Sequence, residues 1–150
     1  MPRKMLLGAT YAVFFIALGA SSQAAQNGTA DEARAMLEKA VAAVKQDKTK
    51  ALDMFNKGEG GFKDRDLYVF CADASTGVET AHPTHKGAKL TGRKDVTGFA
   101  FGAEIMKTAI EGKISEIEYK SPRPGSTKEV EKHSFYTKVG DQICGVGYYE

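Results

Sequence analysis

Lys132, Ser134, Tyr136 and Lys138 alternate with His133, Phe135, Thr137 and Val139 in the run from Lys132 to Val139. A period of two puts the first three on one face of a β-strand. One ammonium and two hydroxyls are what a small carboxylate needs: a counter-charge, and neutral donors that fix its orientation. The same pattern also describes an edge strand with a solvated face, where a lysine discourages pairing with another chain. His82-Pro-Thr-His85 is the second candidate, because imidazole is the commonest metal-binding side chain. Pro83 forbids the helix that would put both rings on one face, and no acidic or cysteine ligand has suitable spacing, so no metal is expected. His82 is expected instead to bond within its turn or to reach a pocket mouth.

Asp95 is the best single acidic candidate. It precedes a helix, so a loop or helix-start hydrogen bond is its plain role. Facing a pocket, it could hold Lys132 or accept from an amine. Support for catalysis is thin. There is no nucleophile elbow, no Cys-x-x-Cys pair and no haem-attachment motif, and Gly58-Glu-Gly-Gly61 lacks the lysine and spacing of a phosphate loop. The chain is expected not to be an enzyme and to need no cofactor.

The elements that must position these residues are organised around Leu67 to Ala72, which is apolar at every position. Leu67, Val69 and Cys71 line one face, and Tyr68, Phe70 and Ala72 the other, so this strand belongs inside a sheet covered on both sides. Asp73 to Gly77 supplies turn chemistry, and Val78 to His82 returns as a second strand stopped by Pro83.

Upstream, Thr29 and Glu32 have capping-box spacing, and Ala33, Met36, Leu37, Ala40, Val41 and Val44 form one apolar stripe. Asp47 interrupts it, and Ala51, Leu52 and Phe55 mark a second, shorter helix ending at Gly58. Downstream, Phe99 to Glu111 reads as a helix closed by Gly112, after a polar, irregular stretch from His85 to Gly92. Ile114 to Lys120, Lys132 to Val139 and Ile143 to Tyr149 are strands, the last two joined by Gly140-Asp141. Gly145 and Gly147 mark bulges or the close approach of another backbone. Strands joined by hairpins and segregated from helices give an α+β domain with an antiparallel sheet.

At 150 residues the chain holds one domain and a targeting segment. Arg3 and Lys4 precede an apolar stretch, Leu6 to Ala20, too short for a comfortable membrane span, and Ser22-Gln-Ala24 fits a signal-peptidase site. Residues 1–24 are read as a signal peptide and residues 25–150 as the domain, with an uncleaved anchor as the alternative. The protein is thus expected in the periplasm or secreted. The formal charge of +2 comes from Arg3 and Lys4, leaving 21 − 2 = 19 basic against 19 acidic side chains. That balance offers no electrostatic footprint for nucleic acid. Cys71 and Cys144 are an even pair in an oxidising compartment, yet both lie in apolar strand-like runs. They are either bridged, which requires neighbouring strands, or two small buried hydrophobes.

The ordered series Ala51-Leu52 with Phe55, Phe62-x4-Leu67-Tyr-Val-Phe, Gly77 followed by Ala81-His-Pro83, Gly87-x2-Leu90, Asp95-x2-Gly98-x2-Phe101, Tyr119-Lys-x-Pro122, Glu131-Lys-x-Ser134-x-Tyr136 and Gly145-Val-Gly147-Tyr resembles a single-Cache domain. This is the extracytoplasmic branch of the PAS-like sensor folds, and its matching pieces run in order from about Ala33 to Tyr149, nearly the whole of the expected mature chain. The resemblance implies a five-stranded antiparallel sheet, a long N-terminal helix on one face and a crossover helix over a small-ligand pocket on the other. It places Lys132, Ser134 and Tyr136 over that pocket, with Tyr119, Tyr68 and Phe70 as its apolar wall. It further implies a short organic acid as ligand and a membrane sensor kinase or chemoreceptor as partner, to a monomer or homodimer. Because the sequence ends at Glu150, straight after the last strand, the expectation is a stand-alone secreted member without an output domain. An accessory protein that docks on such a kinase, or on another secreted protein, and binds no small molecule is the competing expectation.

Overall fold

The computed structural model describes residues 26–150, so the expected leader lies outside the described residues. Helix α1 spans Ala30–Gln46 and starts at a capping box: Thr29 Oγ1 accepts from the Glu32 amide at 3.2 Å, and a Glu32 carboxylate oxygen accepts from the Thr29 amide at 2.8 Å. Its stripe Ala33, Met36, Leu37, Ala40 and Val44 is buried. Asp47 then serves two helices. Its amide donates to the Ala43 carbonyl, ending α1, and its carboxylate accepts from the Lys50 amide at 3.0 Å, starting α2, Lys48–Lys57.

Six strands follow, all antiparallel: β1 Lys63–Asp64, β2 Leu67–Asp73, β3 Glu79–Ala81, β4 Ser115–Pro122, β5 Glu129–Val139 and β6 Gln142–Tyr149. The main sheet runs β3-β2-β6-β5-β4, with the two-residue β1 added beside the start of β2. The apolar strand is therefore internal, and the fold is the α+β, PAS-like arrangement expected, with one extra short strand. Between β3 and β4 the chain crosses through a 3-10 turn at Leu90–Gly92 and helix α3, Phe101–Thr108.

The two faces of the sheet carry separate cores. On the back, α1 and α2 cover Leu67, Val69, Cys71, Phe135, Val139, Cys144 and Val146. On the front, α3 and the 3-10 turn cover Phe70, Ala72, Ile117, Tyr119, Tyr136 and Ile143. Cys71 and Cys144 are register partners of β2 and β6, 4.1 Å apart at Cα, and are joined by a disulfide, which decides between the two alternatives.

Helix α3 is shorter at both ends than its sequence pattern. At the start, the Asp95 carboxylate accepts from the amides of Thr97 and Phe99 and holds that stretch as a turn. At the end, the Ile110 carbonyl accepts from the Lys138 amide and the Thr137 hydroxyl, so pairing with the sheet displaces the last helical turn. The stretch before α3 is also less irregular than its composition: Leu90 is 2 % exposed and anchors the 3-10 turn. Gly102 lets that turn lie on α3, because any β-carbon there would collide with the Leu90 carbonyl.

Candidate functional site

Register builds the centre of the front face. Lys132 on β5 is paired directly with Tyr119 on β4 and Tyr149 on β6, so the three form one row across three strands. The lysine chain leans over Gly147, where a β-carbon would collide with its Cε, and reaches Tyr68 on β2. Its amine donates to the Tyr68 hydroxyl at 2.8 Å and lies 4.6, 4.9 and 6.0 Å from the ring centres of Tyr68, Tyr149 and Tyr119. These are cation–π distances.

Lys132 is 2 % exposed, and among the described residues no carboxylate lies within ion-pair distance of it. Burial pushes its pKa below the ordinary lysine value, with the nearby Arg93 charge acting the same way and Tyr119 opposing. A buried ammonium with no ion pair is an unbalanced charge.

One small space borders this amine, and it shares part of its lining with a larger cleft outside it. The inner one, about 20 Å³ and about the size of one water, is bordered by Lys132, Tyr119, Phe70 and Glu79 among others. Tyr68, His82, Arg93, Phe101 and Ser121 border it and also the outer cleft of about 580 Å³. The latter volume lies in the range of small-molecule sites. Its rim carries Lys63, Lys94, Lys120 and Arg123 against Asp95 and Glu129.

Arg93 and Glu79 are the charged pair of the inner wall. The guanidinium lies 3.4 Å from a Glu79 carboxylate oxygen and 5.8 Å above the Phe101 ring, which stacks on Tyr119 at 3.9 Å. Glu79 is 1 % exposed, and burial raises its pKa while Arg93 pulls it down.

His82 sits where the two spaces meet. Its amide donates to Asn56 Oδ1 at 3.3 Å, and its Nδ1 accepts from the amides of Thr84 at 3.1 Å and His85 at 3.2 Å. The ring is flanked edge-on by Tyr68 and His85. Burial, followed by the positive charge of neighbouring groups, lowers its pKa to about 3. Among the described residues no group of three or more His, Cys, Asp and Glu side chains converges to hold a metal ion.

The structure thus brings together Lys132, Tyr68, Tyr119, Phe70 and His82. Ser134 lies one layer below, its hydroxyl 3.0 Å from that of Tyr119. Tyr136 corrects its sequence assignment: it is on the expected face, but α3 covers it, and its hydroxyl meets Thr108 Oγ1 at 2.7 Å instead of either space. Asp95 borders the outer cleft, yet its carboxylate accepts from Thr97, Phe99 and, at 3.1 Å, the Lys120 amide, so it ties the crossover loop to β4.

Three residues of the site escaped the sequence. Tyr149 was signalled by alternation, since Gly145 and Gly147 share its face. What crosses those glycines is side chains, Phe70 and Lys132, more than the other backbone expected there. The lone apolar Leu90 in a polar stretch marks the turn that aims Arg93. Glu79 carried no comparable signal.

No family model matches the chain, and no curated protein does. Solved structures do. A methyl-accepting chemotaxis protein from Vibrio parahaemolyticus aligns over 79 % of this chain and 86 % of its own, with a TM-score of 0.64 and 22 % identity. A periplasmic sensor domain of a chemotaxis protein aligns over 79 % and 88 %, at 0.57 and 24 %. A Cache chemosensory domain, solved to explain carboxylic acid recognition, aligns over 77 % and 84 %, at 0.54 and 21 %. The fold of this chain is that of a Cache-type sensor domain.

Proposed function

We propose that this Cache-type fold works as a periplasmic or secreted sensing module whose ligand is a small organic anion, its carboxylate seated on Lys132 with Arg93 beside it. One observation carries the reading: an ammonium buried on the cleft side of the sheet with no ion pair. An arriving carboxylate would balance that charge, and the tyrosine rings around it exclude water, which strengthens the contact. Carboxylic acid recognition by one of the similar Cache domains agrees in kind. A membrane sensor kinase or chemoreceptor is the partner that would read occupancy. Docking without a small ligand has less behind it, because the exposed large apolar side chains among the described residues are only Val96, Phe99 and Ile110.

Thermal-shift screening with C2 to C4 carboxylates tests the reading. A ligand specific for the native state stabilises it by about 2.7 kcal/mol at a hundred times its dissociation constant. At least one acid should raise the midpoint of the wild type and leave Lys132→Met unmoved. If none does, or if the variant keeps the shift, the carboxylate seat is somewhere else or does not exist.

A further inference from the structure

The His82-Pro-Thr-His85 turn does more than its own geometry requires. Elsewhere this chain makes the same kind of turn with a carboxylate. Asp73 accepts from the amides of Ser75 at 3.0 Å and Thr76 at 2.8 Å, and Asp95 accepts from that of Thr97 at 2.8 Å. At position 82 the acceptor is an imidazole nitrogen, and the ring carries a second nitrogen that the turn does not use.

Two fixed backbone amides point at Nδ1, so that atom has no proton and the neutral ring carries its proton on Nε2. Nε2 makes no hydrogen bond with the described residues. The side chain is 8 % exposed and borders both the inner space, with Lys132, and the outer cleft. Tyr68 and His85 flank the ring, and Asn56 fixes the backbone that carries it by accepting from the His82 amide. A preorganised neutral donor therefore stands one step outside the buried ammonium.

We infer that His82 selects the ligand class: its Nε2–H donates to an oxygen on the carbon next to the carboxylate, so the cleft prefers 2-hydroxy and 2-oxo acids to plain alkanoic acids. This rests on the reading that the carboxylate sits on Lys132. The chemistry divides the labour. A carboxylate goes to the cations Lys132 and Arg93, which leaves the neutral N–H for a neutral acceptor. The same two cations help keep the ring uncharged, in line with its strongly lowered pKa. A ligand lacking the second oxygen forgoes that hydrogen bond, and the difference in affinity is the worth of the bond.

The test is calorimetric titration of wild type and His82→Asn with propionate, lactate and pyruvate. Asparagine keeps an acceptor for the turn amides and lacks the outer N–H. Wild type should bind lactate or pyruvate about fivefold or more tighter than propionate, the worth of one hydrogen bond. His82→Asn should erase that gap and leave propionate unchanged. Equal wild-type affinity for the three acids, or a His82→Asn loss shared equally by all three, overturns the inference alone. No binding of any carboxylate overturns it together with the Lys132 reading. Should His82→Asn not fold, imidazole ¹⁵N NMR of the wild type decides. An Nε2–H tautomer that persists from about pH 5 to 8 and responds to lactate but not to propionate is expected. An Nδ1–H tautomer, or equal responses, refutes it.

Discussion

Lys132 carries a stability cost, which the proposed carboxylate seat would set against a binding gain. Burial holds its amine below the ordinary value near 10.5, so between those two pH values the unfolded chain binds the extra proton and stability rises with pH. Lys132→Met should therefore be more stable than wild type at neutral pH, by about 1 kcal/mol or more, with the gain shrinking as pH approaches 10.5. Denaturant titrations of both proteins across that range check it. Binding runs the other way. An anion favours the charged amine, so across the pH range in which the free amine loses its proton, complex formation takes up protons and affinity falls as pH rises. The calorimetric heat should then differ between buffers of different ionisation enthalpy, and that difference should vanish in Lys132→Met.

Gly147 offers a cleaner probe of the same amine. An alanine methyl would collide with the Lys132 chain and with the Ser134 hydroxyl, side chains that can turn away at a cost of about 1–3 kcal/mol. Gly147→Ala should fold, melt a few degrees lower and lose the response to acids. A full ligand-induced shift in this variant would mean that the amine is not the seat.

At the scale of elements, the central strands and both faces of β2 and β5 were legible in the sequence, because period two assigns a side chain to a face wherever one strand is buried on both sides. Face is not neighbourhood, however. Tyr136 was on the right face and under the wrong element, since nothing local to β5 reveals that α3 ends above it. Arg93 and Glu79 were illegible for a related reason: they lie 14 residues apart, on either side of an irregular stretch, and meet only after the 3-10 turn docks.

The disulfide between β2 and β6 joins residues 73 apart in sequence. The chain-entropy model gives such a loop about 4 kcal/mol, so Cys71→Ala/Cys144→Ala should melt of the order of 10 °C lower. Asp95 organises the crossover loop more locally. Its hydrogen bonds hold its pKa at about 2, so this contribution is present at neutral pH and is lost as pH falls from about 4 through that value. Asp95→Ala should speed hydrogen exchange at the Thr97, Phe99 and Lys120 amides while leaving β2 and β6 protected.

For the molecule as a whole, net charge hides the local field. Residues 25–150 balance 19 basic against 19 acidic side chains, yet the cleft gathers Lys63, Arg93, Lys94, Lys120 and Arg123 around an opening with only Asp95 and Glu129 opposed. Such a funnel speeds the approach of anions. Raising ionic strength should slow association of a bound acid more than it speeds release, as stopped-flow kinetics at two salt concentrations would show.

The two cores of this sheet are separate sets of residues, one braced by a pair of helices and a covalent staple, the other a mix of aromatic and aliphatic side chains beside a single buried amine. Inheritance can act on them independently. Descendants of such a chain could rewrite the cleft side residue by residue, while the stapled side kept every intermediate version standing.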